Sequence, residues 1–519
     1  MIQQIDHLAL LPGYLAAGTA VLVFLTDLVV ARRGAILAVA SLGSVATGVA
    51  AWWVGVGPDR PTFCVDGAGC SYVATDTAAV VAVLFAALTL GVLGLSAPAL
   101  RAGAVPPGEY CFLLTCSMTG GVVLGHSGDL ITLVVALETL TLPLFILVGL
   151  RRATLASAEG AVTFFIVSVV ATAVTLLGAA LLYAATGAVH FDRLAAALAD
   201  PGGVWAVAPG TGAQARLVAV AVALVLVGLA FKVAAVPFHA WAPAAYDGAP
   251  VPVAAYLSTA SKLGGVVAIL YVAVDALRPR LDIAGPVLAA LAVLTMTVGN
   301  LVALRQRRMV RLLAWSSVAQ AGYILAPLGA FAAAAGRTDQ AVALAVSAAI
   351  AYTVFYVLLE LGAFGAVVAL RPADGDGGAI ADYRGVARRR PWVATALVLA
   401  LVGLAGLPPG LAGLFAKVAV VRSLLGGGAG WLAVVVALNA VVGLAYYVRV
   451  AAVLFAAPAA EAAQAAGPVE VDERGRGRTH WAVAAALGAA TVVALVVGFA
   501  PQLVLDAASL VGAGVGAPR

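Results

Sequence analysis

Long, unbroken runs of apolar residues alternate with short polar stretches along the whole chain. About fourteen runs approach or exceed the roughly 20 residues that a helix needs to cross a bilayer: 8–30, 34–55, 77–99, 109–126, 129–150, 158–185, 215–237, 251–273, 283–304, 309–333, 339–370, 391–424, 429–456 and 480–507. A membrane barrel would instead alternate apolar and polar residues in weak segments of about ten. The pattern predicts an all-α polytopic membrane protein of about 14 transmembrane helices. No basic segment precedes the first run, and Arg32 and Arg33 follow it, so it reads as a retained span and not a cleaved signal. The stretches 186–214 and 459–479 read as polar loops between spans.

Composition removes the other broad classes. Of 519 residues, 63% are hydrophobic and 10% charged, with a mean hydropathy of +1.08; a soluble domain is about a quarter charged. This excludes a soluble globular protein, a disordered tail and a nucleic-acid binder. The 57 glycines suit close helix packing in lipid. The lysine and arginine distribution sets the topology. The loop after the first span, and every second loop after it, carry 18 of the 26 arginines; the other loops and the C-terminus carry 8. The clusters Arg305/Arg307/Arg308/Arg311, Arg384/Arg388/Arg389/Arg390 and Arg474/Arg476/Arg478 all fall on the richer side, which is expected to be cytoplasmic, with both termini outside.

Cys64 and Cys70 lie in a loop expected outside, where an oxidising compartment permits a disulfide; two free thiols are the equal alternative. Cys111 and Cys116 read as small apolar fillers of the fourth span. The cysteine spacings match no zinc or redox motif. No phosphate-binding loop, His-Glu-x-x-His or Gly-x-Ser-x-Gly motif occurs. The stretch 210–215 (GTGAQA) loosely resembles a dinucleotide-binding turn, but it lacks the preceding strand and reads as a loop entering the seventh span.

The candidate chemistry is the charge left inside the apolar runs. The three lysines, Lys232, Lys262 and Lys417, all fall within spans, whereas every arginine falls beyond a span or in its outer third. The distinction is physical: arginine effectively never deprotonates, whereas an amine withdrawn from water can release its proton near neutral pH. The plainer alternative is that these lysines snorkel or tie helices together. Glu138 lies mid-span and needs a partner or a proton; Lys232 is the expected partner, as a static pair or as one that separates and releases a proton. Glu360, also mid-span, is either a relay carboxylate or a protonated hydrogen-bonding group. His239, just after Pro237, is a loop anchor or a relay, and Asp27 is interfacial. Pro237 follows Lys232 by five residues, and Pro408 and Pro409 precede Lys417. Proline frees a backbone carbonyl about one turn earlier, so both spans are expected to be broken, and two lysine-bearing broken spans five apart suggest two repeats.

Three stretches carry a family resemblance: FKVAAVPFHAWAPAAYDGAPVPVAAYLSTASKLGGVV (231–267), RLLAWSSVAQAGYIL (311–325) and LAGLPPGLAGLFAK (404–417). Together they resemble the antiporter-like proton-pumping subunits of respiratory complex I, over roughly residues 75–455. The Tyr-Asp-Gly-Ala-Pro-Val-Pro-Val run, a lysine at position 417 and the absence of room for a long C-terminal lateral helix make the chain most similar to N-type members. The resemblance implies two inverted five-helix repeats, each with a broken helix. The corresponding division is 1–105 (spans 1–3), 106–275 (spans 4–8), 276–457 (spans 9–13) and 458–519 (polar loop and span 14). It implies proton-translocating roles for Glu138, Lys232, Lys262 and Lys417. Gln320 stands where many members have histidine, and it does not titrate near neutral pH, so a relay there would pass through water. Thr163 falls where many members have lysine, and Glu360 lies outside the family pattern. The resemblance further implies no redox centre, cofactor or metal in this chain. NADH, FMN, iron–sulfur clusters and quinone would belong to other subunits, neighbours would be of the M, K and J types, and the site would be a bacterial plasma membrane. The alternatives are a subunit of a multi-subunit cation/proton antiporter or membrane-bound hydrogenase, a scaffold whose buried charges only hold helices together, and an intramembrane enzyme, for which no catalytic dyad is found.

Overall fold

The computed structural model describes residues 5–67, 69–151, 154–200, 212–371, 375–457 and 479–515. Arg474, Arg476 and Arg478, most of the 459–479 stretch, and Gly210 and Thr211 of the dinucleotide-like stretch lie outside the described residues. The helices are α1 (Leu11–Val29), α2 (Arg33–Gly55), α3 (Asp76–Ala102), α4 (Pro107–Gly125), α5 (Leu130–Val148), α6 (Leu155–Thr186), α7 (Phe191–Ala199), α8 (Gly212–Lys232) and α9 (Trp241–Gly248). They continue as α10 (Val251–Ala276), α11 (Leu281–Ala303), α12 (Met309–Leu325), α13 (Asp339–Leu370), α14 (Val386–Arg389), α15 (Pro391–Ala405), α16 (Leu411–Gly426), α17 (Gly430–Phe455), α18 (Trp481–Phe499) and α19 (Gln502–Gly514). Among the described residues, eleven helices are long and apolar enough to cross a membrane.

Helix limits follow from local chemistry. Thr75, Asp129 and Thr338 cap α3, α5 and α13 by accepting from the backbone N–H three residues on. The seventh run is broken after Lys232, and the twelfth between Ala405 and Leu411. The run expected at 480–507 is two helices, separated by Ala500 and Pro501, because proline cannot continue the backbone ladder. The 186–214 stretch is not wholly loop: it contains α7 and the start of α8.

A β-hairpin that the apolar pattern did not signal joins α2 to α3: β1 (Arg60–Val65) pairs antiparallel with β2 (Gly69–Ala74). Cys64 and Cys70 face one another in its register and are joined by a disulfide, which resolves the alternative left open by the sequence. Cys111 and Cys116 are free. The hairpin is fastened to the link between α4 and α5. Val73 donates to the His126 carbonyl at 2.8 Å and Gly128 to that of Ser71 at 3.0 Å, and Tyr72 stacks on His126.

α10 is the centre of the molecule, with all 26 residues buried. Its ladder widens to π turns over Leu257–Ser261 and Tyr271–Ala276, on either side of Lys262; such turns recur at functional positions in helices. α6 packs along α8 so closely that a Cβ on Gly178 would stand 2.7 Å from the Val225 amide nitrogen, and one on Gly228 2.8 Å from the Ala171 carbonyl oxygen. The outer faces are apolar. On α5, Ile131, Val135, Leu142 and Ile146 form an exposed stripe, and α6 continues it with Val162, Ile166, Val169 and Val170. Contiguous apolar surface of this kind faces lipid or another protein.

Candidate functional site

Lys232 is the last residue of α8, where the helix ends and its final carbonyls lose their intrahelical donors. The freed backbone groups find partners elsewhere: Trp241 Nε1 donates to the Phe231 carbonyl at 3.2 Å, and the Val236 amide donates to Thr295 Oγ1 of α11 at 3.0 Å. The break is therefore built into the protein interior, as membrane depth requires. Lys232 Nζ donates to Glu138 Oε1 at 2.7 Å and to Thr141 Oγ1 at 3.2 Å, and reaches Ser168 Oγ at 3.5 Å. Thr172 Oγ1 donates to the same Glu138 oxygen at 2.7 Å. Glu138 and Thr141 share one face of α5, and Ser168 and Thr172 one face of α6, because residues three and four apart are neighbours on a helix. The lysine side chain is 4% exposed and that of Glu138 24%.

Lys262 lies on α10, fully buried. Its α10 neighbour Gly265 passes so close to the α8 terminus that a Cβ there would stand 2.8 Å from the Lys232 carbonyl carbon. Lys262 Nζ donates to the Ser317 carbonyl of α12. Ser317 Oγ is hydrogen-bonded to Tyr356 OH at 2.7 Å, and Tyr356 OH donates to the Ser258 carbonyl at 2.8 Å. One turn on from Ser317, Gln320 is fully engaged: Nε2 donates to the Leu404 carbonyl and to Tyr447 OH, both at 3.1 Å, and Oε1 accepts from Tyr352 OH at 2.6 Å.

Lys417 lies on α16 just past the second break. Its Nζ donates to the carbonyls of Leu404, at 3.0 Å, and Ala405, at 2.5 Å. These are the C-terminal carbonyls of α15, freed where Gly406 adopts φ 82° and carrying the negative end of the helix dipole. Among the described residues, neither Lys262 nor Lys417 has a carboxylate within ion-pair distance. The Leu404 carbonyl is shared by Gln320 and Lys417. Polar groups thus run from Glu138 through Lys232, Lys262, Ser317, Tyr356 and Gln320 to Lys417.

The remaining candidates separate. Glu360 on α13 is fully buried, and neither of its carboxyl oxygens has a hydrogen-bond partner among the described residues. His239 lies in the α8–α9 break with its ring 5.1 Å from that of Trp315, bonded to none of the lysines. The sequence reading missed Ser317, Tyr352, Tyr356 and Tyr447. Their only sequence signal was polar spacing, Ser317/Gln320 and Tyr352/Tyr356/Glu360 at three and four residues.

A second charged cluster lies at the helix ends, outside the spans. Arg308 Nε donates to Asp247 at the end of α9 at 3.0 Å, and its other arm donates to Asp376 at 2.9 Å. This clasps the second half of the first broken span to the segment after α13. The Arg308 hydrogen bond holds the Asp376 carboxyl below the usual carboxylate range, so the clasp is charged at neutral pH.

Comparison with known proteins places the chain in a family. Residues 127–443 match the family described as NADH:quinone oxidoreductase/Mrp antiporter, TM. NADH-quinone oxidoreductase subunit N of Salinispora tropica is 66% identical, over 98% of this chain and 99% of its own. A chain of respiratory complex I from Thermus thermophilus superimposes with a TM-score of 0.74 at 28% identity, covering 95% of this chain and 98% of its own. A chain of the Mrp complex from Dietzia sp. has the same fold, with a TM-score of 0.79 at 24% identity over 98% of both chains. The protein is accordingly a member of the NADH-quinone oxidoreductase subunit N family.

Proposed function

We propose that the chain is a membrane subunit of a bacterial NADH–quinone oxidoreductase that translocates protons, driven by redox chemistry in other subunits. The observation that carries this reading is the Glu138–Lys232 ion pair together with the buried lysines Lys262 and Lys417 and the polar groups that hold them, in a chain whose relatives are named as subunit N. The pairing with Glu138 holds a proton on Lys232, and lengthening of that contact releases it toward Lys262. Gln320 has neither a proton to give nor a site to accept one near neutral pH, so it orders its tyrosine partners. His239 acts as an anchor of the break. In this reading fourteen spans, two of them broken, cross the bilayer, and 106–275 and 276–457 are inverted repeats flanked by 1–105 and 458–519.

NADH, FMN, the iron–sulfur clusters and quinone belong to other subunits of the assembly, and the neighbours in the membrane are M-, K- and J-like. Purification through a tag on this chain tests the assignment. An NADH-oxidising arm and NADH–quinone activity are expected to come with it. Recovery of antiporter-type membrane subunits alone, without redox activity, would move the assignment to a cation/proton antiporter.

The subunit lies in the plasma membrane with both termini outside. The Cys64–Cys70 disulfide supports this, since such bonds persist in oxidising compartments. In intact cells a membrane-impermeant maleimide is expected to label Cys64 and Cys70 only after reduction, and to leave the span cysteines Cys111 and Cys116 unlabelled. Labelling confined to inverted vesicles would reverse the orientation.

A further inference from the structure

Glu360 has no role in the path described so far, and its surroundings are unusual. Its side chain is fully buried, yet neither carboxyl oxygen has a hydrogen-bond partner among the described residues. A buried polar group left unsatisfied costs free energy and calls for an explanation. The residue lies one turn beyond Tyr356 and two beyond Tyr352 on the face of α13 that meets the path: Tyr352 bonds Gln320 and Tyr356 bonds Ser317. Glu360 interacts electrostatically with Lys262 of α10, Tyr246 of α9, Tyr356 of its own helix and Tyr447 of α17. Tyr447 is the hydroxyl that Gln320 holds, and Gln320 shares the Leu404 carbonyl with Lys417. Glu360 therefore stands on the Lys262 side of the path, and the Tyr447 hydroxyl, Gln320 and the Leu404 carbonyl lead from there to Lys417.

We propose that Glu360 is the proton-carrying group between Lys262 and Lys417, supplying the titratable station that Gln320 does not. This rests on the proton-translocation reading above. The Lys262 ammonium gives its proton to the Glu360 carboxylate, leaving a neutral amine and a carboxylic acid. The acid then releases the proton toward the Lys417 amine, which becomes an ammonium as the carboxylate is restored. Each step moves one proton and needs no other reactant. An unpaired carboxyl suits the task, because a fixed hydrogen bond would stabilise one protonation state over the other.

The test uses the assembled oxidoreductase in membrane vesicles, with NADH-driven proton uptake and NADH–quinone turnover read together. E360Q is expected to lower proton uptake at least tenfold at normal abundance of the complex. E360D should recover half or more of it with a displaced pH profile, and the double variant Q320H/E360Q should recover part by returning a titratable group to the neighbouring position. Uptake by E360Q within threefold of the unsubstituted protein would overturn the inference, as would a loss that E360D shares in full. Should E360Q fail to assemble, E360D decides alone: an unchanged turnover and pH profile would overturn the inference, and a displaced profile would carry it. The parent reading fails separately, if substitution of Lys232 leaves translocation intact.

Discussion

Lys232→Ala should abolish NADH-driven proton uptake in the assembled complex, by at least tenfold. The substitution removes the ammonium that pairs with Glu138 and that, through one atom, joins the end of α8 to both α5 and α6. Two effects must be separated. Removing one partner of a buried ion pair costs about 3–5 kcal/mol because it strands the other charge. Here the cost should fall toward or below the lower end, since Glu138 is 24% exposed and can be hydrated or protonated. Lost uptake in K232A could therefore reflect poor assembly. The double variant K232A/E138Q resolves this, because it leaves no stranded charge. Its abundance on native gels should return to normal while proton uptake stays lost. Normal uptake by K232A at normal abundance would favour the scaffold reading, in which the buried charges only hold helices together.

The second large effect concerns the other break. Gly413→Ala should remove most of the assembled complex from the membrane, and the remainder should pump at less than a tenth of the normal rate. A Cβ on Gly413 would stand 1.7 Å from the Gly403 carbonyl oxygen and 2.7 Å from its carbon. Both are backbone atoms, so no rotamer change relieves the contact. Overpacking of this kind costs about 1–3 kcal/mol, and more where the neighbour is backbone. The functional loss follows from geometry. Lys417 lies one turn beyond Gly413 on the same helix face and is held by the carbonyls of Leu404 and Ala405. Forcing α16 away from α15 withdraws the amine from both. Gly488→Ala on α18 is the matched control: nothing lies within 4 Å of a Cβ there, and alanine is the better helix former by about 0.8–1.0 kcal/mol. Equal abundance of G413A and G488A would mean that the break is not closed as described.

The candidate groups were legible because they are exceptions. Lys232, Lys262, Lys417, Glu138 and Glu360 stand against an apolar background, where every charge needs a reason. The two breaks were legible through Pro237, Pro408 and Pro409, since a missing donor has one consequence wherever it occurs. What the sequence concealed falls into two kinds. The first is partners with no side-chain signature: Lys262 and Lys417 are held by the backbone carbonyls of Ser317, Leu404 and Ala405, which any residue would supply. The second is partners far along the chain whose residue type is ambiguous. Tyr447 is 127 residues from Gln320, and tyrosine is equally at home as an apolar filler. The β-hairpin at 60–74 was missed for another reason: it is short, flanked by strong helical signals, and fastened by a disulfide that spacing alone left open.

The open edge of Glu138 has a consequence for how the subunit behaves outside its assembly. Its carboxylate lies on the side of α5 where Val135 and Leu142, three residues before and four after, are 59% and 50% exposed. Whatever rests against that stripe sets the local polarisability around the carboxylate. A close-fitting neighbour excludes water and strengthens the attraction to Lys232, because the same charges interact more strongly as the surrounding dielectric falls. Lipid headgroups or water entering from the side weaken it. A charge carried on the neighbour's own surface would act on Glu138 directly, across the join. The affinity of Lys232 for its proton is thus not a constant of this polypeptide. It is a quantity that an adjoining molecule can raise or lower without touching the lysine.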